Sequence, residues 1–550
     1  MRSGTWWLVF LGALAVLLAP LLVAEVPPLM DYPNHLARTW LLAFGAEDPI
    51  LSRIYGQDWH VIPNLAIDVV LPALMRILPV HVAGRVMLGL ILVLNYVAIL
   101  VYSRVAFGYR SYWPLAAALI GYNALFLMGF MNFQISLGMA LLTAAGWAAF
   151  RERHPLLTIA GATLGATLVF FCHFFGLLFC AILIGSHELA AVGREWRHSP
   201  HPVRRVLLRG LAAGIVFLPS AILFLSTSLT DTKGELFWLP AVEKLRALNA
   251  PFMNYYAALD KLTALVVLAI LAVCLWRRSL RLPAGTAIAM LACLAVYIVM
   301  PYAIGDAFFL DSRFPVMLGM LLFAGILPVL PKPSARIAGL ALAALFLLRM
   351  GLLSGLWWQH NQDIADIRRT IAPVPPGSRV LVATVDPDVN PAWWRAHGRR
   401  HVIAEFCRTD QHLGSLLTIE RRAFWPLLFT VATQQPLVVL PPYDRIAAPL
   451  GDVPNYQQLD PSAAPRRTGP RPSYLADWPA NFDYLLVLNA GAMDGLSDYL
   501  SARLEPMERT EMAVLFRIRL AAPAETARHG AEAGVGDRPA IALGGTAGGI

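Results

Sequence analysis

Long apolar runs separated by short basic clusters fill the first 357 positions. The runs lie at 6–24, 82–103, 112–130, 132–150, 156–192, 206–226, 260–276, 284–304, 312–330 and 335–357. A crossing helix needs about 20 apolar residues, so 156–192 is too long for one. Cys172-His173-Phe174-Phe175-Gly176 interrupts it near the middle. The pattern therefore predicts helices at 156–172 and 174–192, and eleven crossings in all. The run from Trp6 to Ala24 reads as an uncleaved first helix. It is long enough to span, and Glu25-Val26-Pro27-Pro28 lacks the small residues of a signal cleavage site.

Beyond Trp358 the pattern changes. Short apolar runs at 379–385, 436–440, 482–488 and 512–518 predict strands, with helical spacing at 415–433 and 492–504. Alternation of this kind suggests a small, mostly parallel sheet. The Pro-rich stretch 454–480 reads as a surface loop. The Ala/Gly-rich tail 521–550 has no periodicity and reads as disordered. The expected architecture is a polytopic α-helical membrane protein with about 11 transmembrane helices over 1–357. A soluble α/β domain follows over 358–520.

Composition agrees with the pattern. Of 550 residues, 57% are hydrophobic and 14% charged, against about 25% charged in a soluble domain. Mean hydropathy is +0.59. This excludes a disordered or fibrous chain and a soluble enzyme with one core. The five cysteines form no CxxC pair and no disulfide framework.

The net charge of +9 is explained by topology. With the amino end inside, five short inner loops hold thirteen basic residues: Arg104, Arg110, Arg151, Arg153, Arg194, Arg197, Arg204, Arg205, Arg277, Arg278, Arg281, Lys332 and Arg336. The outer loop 25–81 holds six acids against three bases. The bias obeys the positive-inside rule. If 156–192 crossed once, Arg194–Arg205 would fall outside, so the charges support the split as well. The outer loops are then 25–81 and 226–260, and the 358–520 domain is outside. Within the first loop, the amphipathic stretch 64–78 is expected to lie along the interface.

Three polar clusters fall on the outer side. The densest is Asp31-Tyr32-Pro33-Asn34-His35-Leu36-Ala37-Arg38. There Asn34 begins a short helix with His35 and Arg38 three apart on one face. Its plain reading is a cap at Asp31 and a headgroup anchor at Arg38. The second is Asp306 with Asp311-Ser312-Arg313-Phe314-Pro315 at the mouth of a late helix. Arg313 there is either paired with Asp311 or holds a phosphate. The third is His173, at the tip of the split hairpin, whose plain reading is a satisfied interface residue. Glu235 in the second loop reads as solvated surface. Trp393-Trp394 with Arg395, Arg399, Arg400 and His401 is basic and aromatic, but its outer placement argues against nucleic acid. There is no Walker A loop, GxGxxG, HExxH or GxSxG.

On these motifs the chain resembles the GT-C superfamily of integral-membrane glycosyltransferases, which includes protein O-mannosyltransferases and lipid A aminoarabinose transferases. Asp31, in Asp31-Tyr32-Pro33-Asn34-His35, matches the catalytic acid that those enzymes carry soon after the first helix. The chain has one acid there rather than the usual Asp-Glu pair. Arg313-Phe314-Pro315 is similar to a late-helix motif, and His173-Phe174-Phe175-Gly176 to a His-aromatic-Gly turn. The likeness covers about 1–357.

The resemblance implies transfer of a sugar from a polyprenyl-phosphate donor to a lipid, glycan or protein acceptor, outside a bacterial inner membrane. Asp31 would act as base or bind a divalent metal, with His35 beside it as a second catalytic group. Asn34, Arg38, His173, Asp306, Asp311 and Arg313 would bind the substrates. Two other readings use the same features. A transporter or flippase of a lipid-linked sugar would use the cavity without breaking a bond. An assembly protein would act through 358–520.

Overall fold

The computed structural model describes residues 3–196, 201–227, 234–305, 307–403, 407–463 and 473–519. Asp306 and the tail expected to be disordered lie outside them.

Among the described residues, eight helices are long and apolar enough to cross a membrane. They are α1 (Ser3–Val23), α4 (Val80–Phe107), α6 (Met131–Phe150), α7 (Pro155–Cys172), α8 (Phe174–Glu195), α9 (Pro202–Leu225), α11 (Ala257–Trp276) and α14 (Lys332–Ile371). Each matches one expected run, and the break between α7 and α8 falls at His173, whose backbone is extended. α9 turns Leu207, Leu211, Leu218 and Ile222 outward. An exposed stripe this apolar is suited to lipid.

The other three expected crossings form shorter helices. The run at 112–130 is a 3₁₀ segment, Trp113–Ile120, followed by the four-residue α5 (Ala124–Leu127). Asn123 separates them, its side-chain oxygen accepting from Phe126 N at 3.1 Å. α12 (Ala284–Val299) has 16 residues and α13 (Arg313–Ala324) has 12. Helix length alone thus yields eight spans rather than eleven.

Two short helices lie between α1 and α4, α2 (Tyr32–Phe44) and α3 (Ala66–Met75). Between α9 and α11 lies α10 (Ala241–Ala247). α3 is not simply laid on the interface: its Asp68 is buried against α2, while Val69 and Val70 are exposed.

α14 is a single 40-residue helix. The change of composition near 358 is therefore not a linker; it falls inside this helix, whose last turns pack on the sheet that follows. That sheet has the order 504–509, 513–518, 484–488, 380–384. Only Tyr484–Leu488 with Val380–Thr384 is a parallel pair, and the two other pairs are antiparallel. The expectation of a mostly parallel sheet is thus corrected. Both strands of the parallel pair are buried throughout, which explains their unbroken apolar runs. The strand expected at 436–440 forms at Leu437–Val439 and pairs instead with Tyr55–Gln57, between α2 and α3. The helix expected at 415–433 is only α16 (Leu416–Arg421). Arg422 ends it in the left-handed region, and Pro426 follows.

Candidate functional site

The site begins at the end of α1. Pro27 and Pro28 stiffen the exit, and two backbone bonds dock the chain on the loop before α6. Met30 N donates to Leu127 O at 3.0 Å, and Asp31 N donates to Met128 O at 3.1 Å. Gly129 makes this docking possible. Its φ is +85°, and a Cβ there would lie 2.9 Å from Tyr32 N and 3.0 Å from Asp31 N. Glycine alone combines that backbone angle with that clearance.

Asp31 stands at the start of α2 but makes no side-chain cap. Its Oδ1 faces His412 Nε2 at 3.2 Å. Asn34 sets the state of that imidazole. The Asn34 amide oxygen accepts from Phe429 N at 2.8 Å, and Nδ2 donates to Leu427 O at 2.9 Å. These backbone partners fix which end of the amide is nitrogen. Nδ2 also lies 3.1 Å from His412 Nδ1. Since Nδ2 only donates, Nδ1 must accept, so the proton of a neutral His412 sits on Nε2 and points to Asp31. The result is a relay, Asn34 to His412 to Asp31, joining the segment between α1 and α4 to the segment after α15 (Pro391–His397).

Asp31, His35, His173, Arg313 and His412 line one cavity of about 690 Å³, with Arg408 and Gln411 beside them. Its walls are aromatic, including Phe130, Phe133, Phe174, Phe175 and Phe429. The cavity lies where α1 and α7 end and α6, α8 and α13 begin, at one end of the bundle.

His173 bridges two helices there. Its Nδ1 accepts from Phe175 N at 3.1 Å, which leaves the proton of the neutral ring on Nε2. His35 packs its ring 5.2 Å from Phe429. Burial, and then the charges of Arg38 and His412, hold the His35 imidazole well below its ordinary value.

Arg313 is the decisive group. It is 9% exposed, and its guanidinium lies 4.6 Å from the ring centre of Phe175, with Phe130 and Phe133 also facing it. Its Nε has no hydrogen-bond acceptor. No ion pair joins it to Asp311 or to any other described residue. Of the two readings of Arg313, the close ion pair with Asp311 is thus not formed, although the Asp311 charge still attracts the guanidinium. An unpaired buried guanidinium is costly. The aromatic faces offset part of that cost, and a bound anion would offset more. Arg408, by contrast, is already committed, to Asp410 at 2.9 Å and Asp386 at 3.3 Å.

Several expected binding residues are not in the cavity lining. Arg38 is fully buried behind it, in a bidentate pair with Asp68 at 2.8 and 3.0 Å. It ties α2 to α3 and is neither a headgroup anchor nor a phosphate ligand. Asp311 is buried beside Ser312, with Lys244 Nζ 3.7 Å away. Asn34 positions His412 rather than facing the cavity. Nor do the residues fit a protein-held metal on Asp31. The lining carboxylates are Asp31 and Asp452, and the His, Cys, Asp and Glu donors among the described residues that could share an ion lie elsewhere.

His412 and Arg408 were not legible as site residues. Neither sits in a motif, and only the fold brings 412 to 31. No protein-family model matches the chain, and no curated protein matches its sequence.

Proposed function

We propose that this protein is a membrane glycosyltransferase, moving a sugar from a polyprenyl-phosphate donor to an acceptor hydroxyl on the extracytoplasmic side. The unpaired Arg313 guanidinium, in the same cavity as the Asp31–His412 pair, carries the reading. An anion site and a base face one space, walled by aromatic residues at the end of apolar helices. A lipid-linked phosphate sugar has the matching parts: a charged head, a sugar and an apolar tail.

In this reading Asp31 takes the proton of the acceptor hydroxyl while His412 holds the carboxylate. The acceptor oxygen attacks the anomeric carbon. The bond from that carbon to the phosphate oxygen breaks, and its electron pair leaves with the polyprenyl phosphate. The phosphate gains one negative charge, which rests on Arg313. A single displacement inverts the anomeric centre. His35 and His173 orient the sugar as neutral rings. The likeness to GT-C enzymes and the loop charges support the rest. Eleven apolar segments are counted with α12, α13 and the broken 113–127 stretch as crossings. The amino end lies inside a bacterial plasma membrane, and an α/β domain over 358–520 lies outside.

The test is release of polyprenyl phosphate from a labelled polyprenyl-phosphate sugar by the full-length protein in vesicles. Release by the wild type, lost in Asp31→Asn, is the expected result. Absence of donor binding by the folded wild type would overturn the reading.

A further inference from the structure

A second cluster lies away from the cavity, where α14 meets the segment after α15. His360 and Asp363 are three apart on the last turns of α14, and His401 ends the turn 398–401. All three are buried, both histidines completely. None of their four ring nitrogens makes a well-aligned hydrogen bond, the nearest polar group being the Asp363 carboxylate. Buried polar groups are rarely left so. His360 Nδ1 lies 3.4 Å and His401 Nε2 3.7 Å from Asp363 Oδ2, and one donor atom from each residue falls within 4.8 Å of the others.

We infer that His360, Asp363 and His401 form a binding site for a zinc-type divalent ion that pins α14 to the 398–401 turn. With Zn–N and Zn–O bonds of about 2.0–2.1 Å, tetrahedral donors stand about 3.3 Å apart. The two imidazole–carboxylate distances are close to that value, and small ring rotations bring in the rest. Two nitrogens and one oxygen select zinc-type ions over magnesium or calcium, which take oxygen donors. Arg400 grips Asp363 through Nε at 2.7 Å and Nη2 at 2.8 Å. It thereby orients the carboxylate as an outer partner and leaves Oδ2 a free lone pair. Its positive charge weakens the site without blocking it. The fourth position is left for water.

The test uses the full-length chain in detergent, stripped with chelator, incubated with Zn²⁺ and desalted. Metal analysis should find about one zinc per chain, and zinc should raise the melting temperature. Asp31→Asn should bind the same amount, because the site is separate from the cavity. His401→Gln and His360→Gln should each lower zinc occupancy at least tenfold. Cobalt in place of zinc should give the visible bands of a four-coordinate imidazole site in the wild type, a readout that needs no variant. A folded wild type that retains no zinc, or a cobalt spectrum identical to the aqueous ion, would overturn the inference. So would undiminished zinc in folded His401→Gln.

Discussion

His412 Nε2 lies 3.2 Å from Asp31 Oδ1, and the direction of that contact is set by a third residue, Asn34. Because both ends of the Asn34 amide are fixed by backbone groups, the imidazole has one neutral tautomer available. Asp31 is thus a held carboxylate rather than a helix cap.

Asp31→Asn should cut transfer by roughly 10²–10⁴-fold, the usual worth of an acid–base group. Melting temperature should change little, since Asp31 caps no helix. His412→Gln should cost about 10²-fold, the scale of a misplaced catalytic group. The loss should appear in kcat, with KM for the donor nearly kept. Steady-state kinetics with purified variants would check both, and a wild-type rate in Asp31→Asn would remove it from the mechanism.

Arg313→Lys keeps the charge but loses the planar fork. Donor use should fall at least tenfold. Asp311→Ala/Arg313→Ala should remain inactive, because no close ion pair joins the two side chains and removing Asp311 does not supply the phosphate ligand lost with Arg313. Recovery of transfer in the double variant would mean that Arg313 matters only structurally.

Arg38→Ala should destabilise the protein by about 3–5 kcal/mol, the cost of leaving one partner of a buried pair uncompensated. The target is its pairing with Asp68, in which both side chains are fully buried. Arg38→Met/Asp68→Leu should regain most of the stability and much of the activity. Thermal melts and transfer assays on the three proteins decide it. A stable, fully folded Arg38→Ala that binds donor poorly would return Arg38 to the substrate.

His35 supplies a pH test. Burial depresses its folded value, so the folded state resists the proton that the unfolded chain accepts near pH 6.5. Its contribution to stability is complete above that pH and is lost as pH falls below it. The slope is at most about 1.4 kcal/mol per pH unit. Between pH 7 and pH 5 the wild type should lose more melting temperature than His35→Gln. Equal losses would mean that His35 is as readily protonated in the fold as out of it.

The sequence alone determined the apolar frame. Composition and run length placed seven of the eight long helices to within about four residues, because crossing a bilayer demands a continuous apolar stretch; α14 runs to Ile371, fourteen residues past its apolar run. The break at His173 was legible for the same reason: one run was too long. Asp31, His35, His173 and Arg313 were legible as polar residues at helix ends on one side.

What tertiary structure alone decided was which polar groups meet. Arg38 is a charged residue one helical turn from His35, yet it is spent on Asp68, 30 positions away. Asp311 sits two residues from Arg313 and does not pair with it. His412 and Asn34 are 378 positions apart and touch. Helix periodicity reports which face a residue occupies and nothing about what lies opposite. Partner choice arises from long-range packing, where α2, the loop before α6 and the 407–429 segment converge. The mixed sheet has the same cause. The strand at 437–439 finds Tyr55–Gln57 rather than its neighbours in sequence, a pairing that local pattern does not encode.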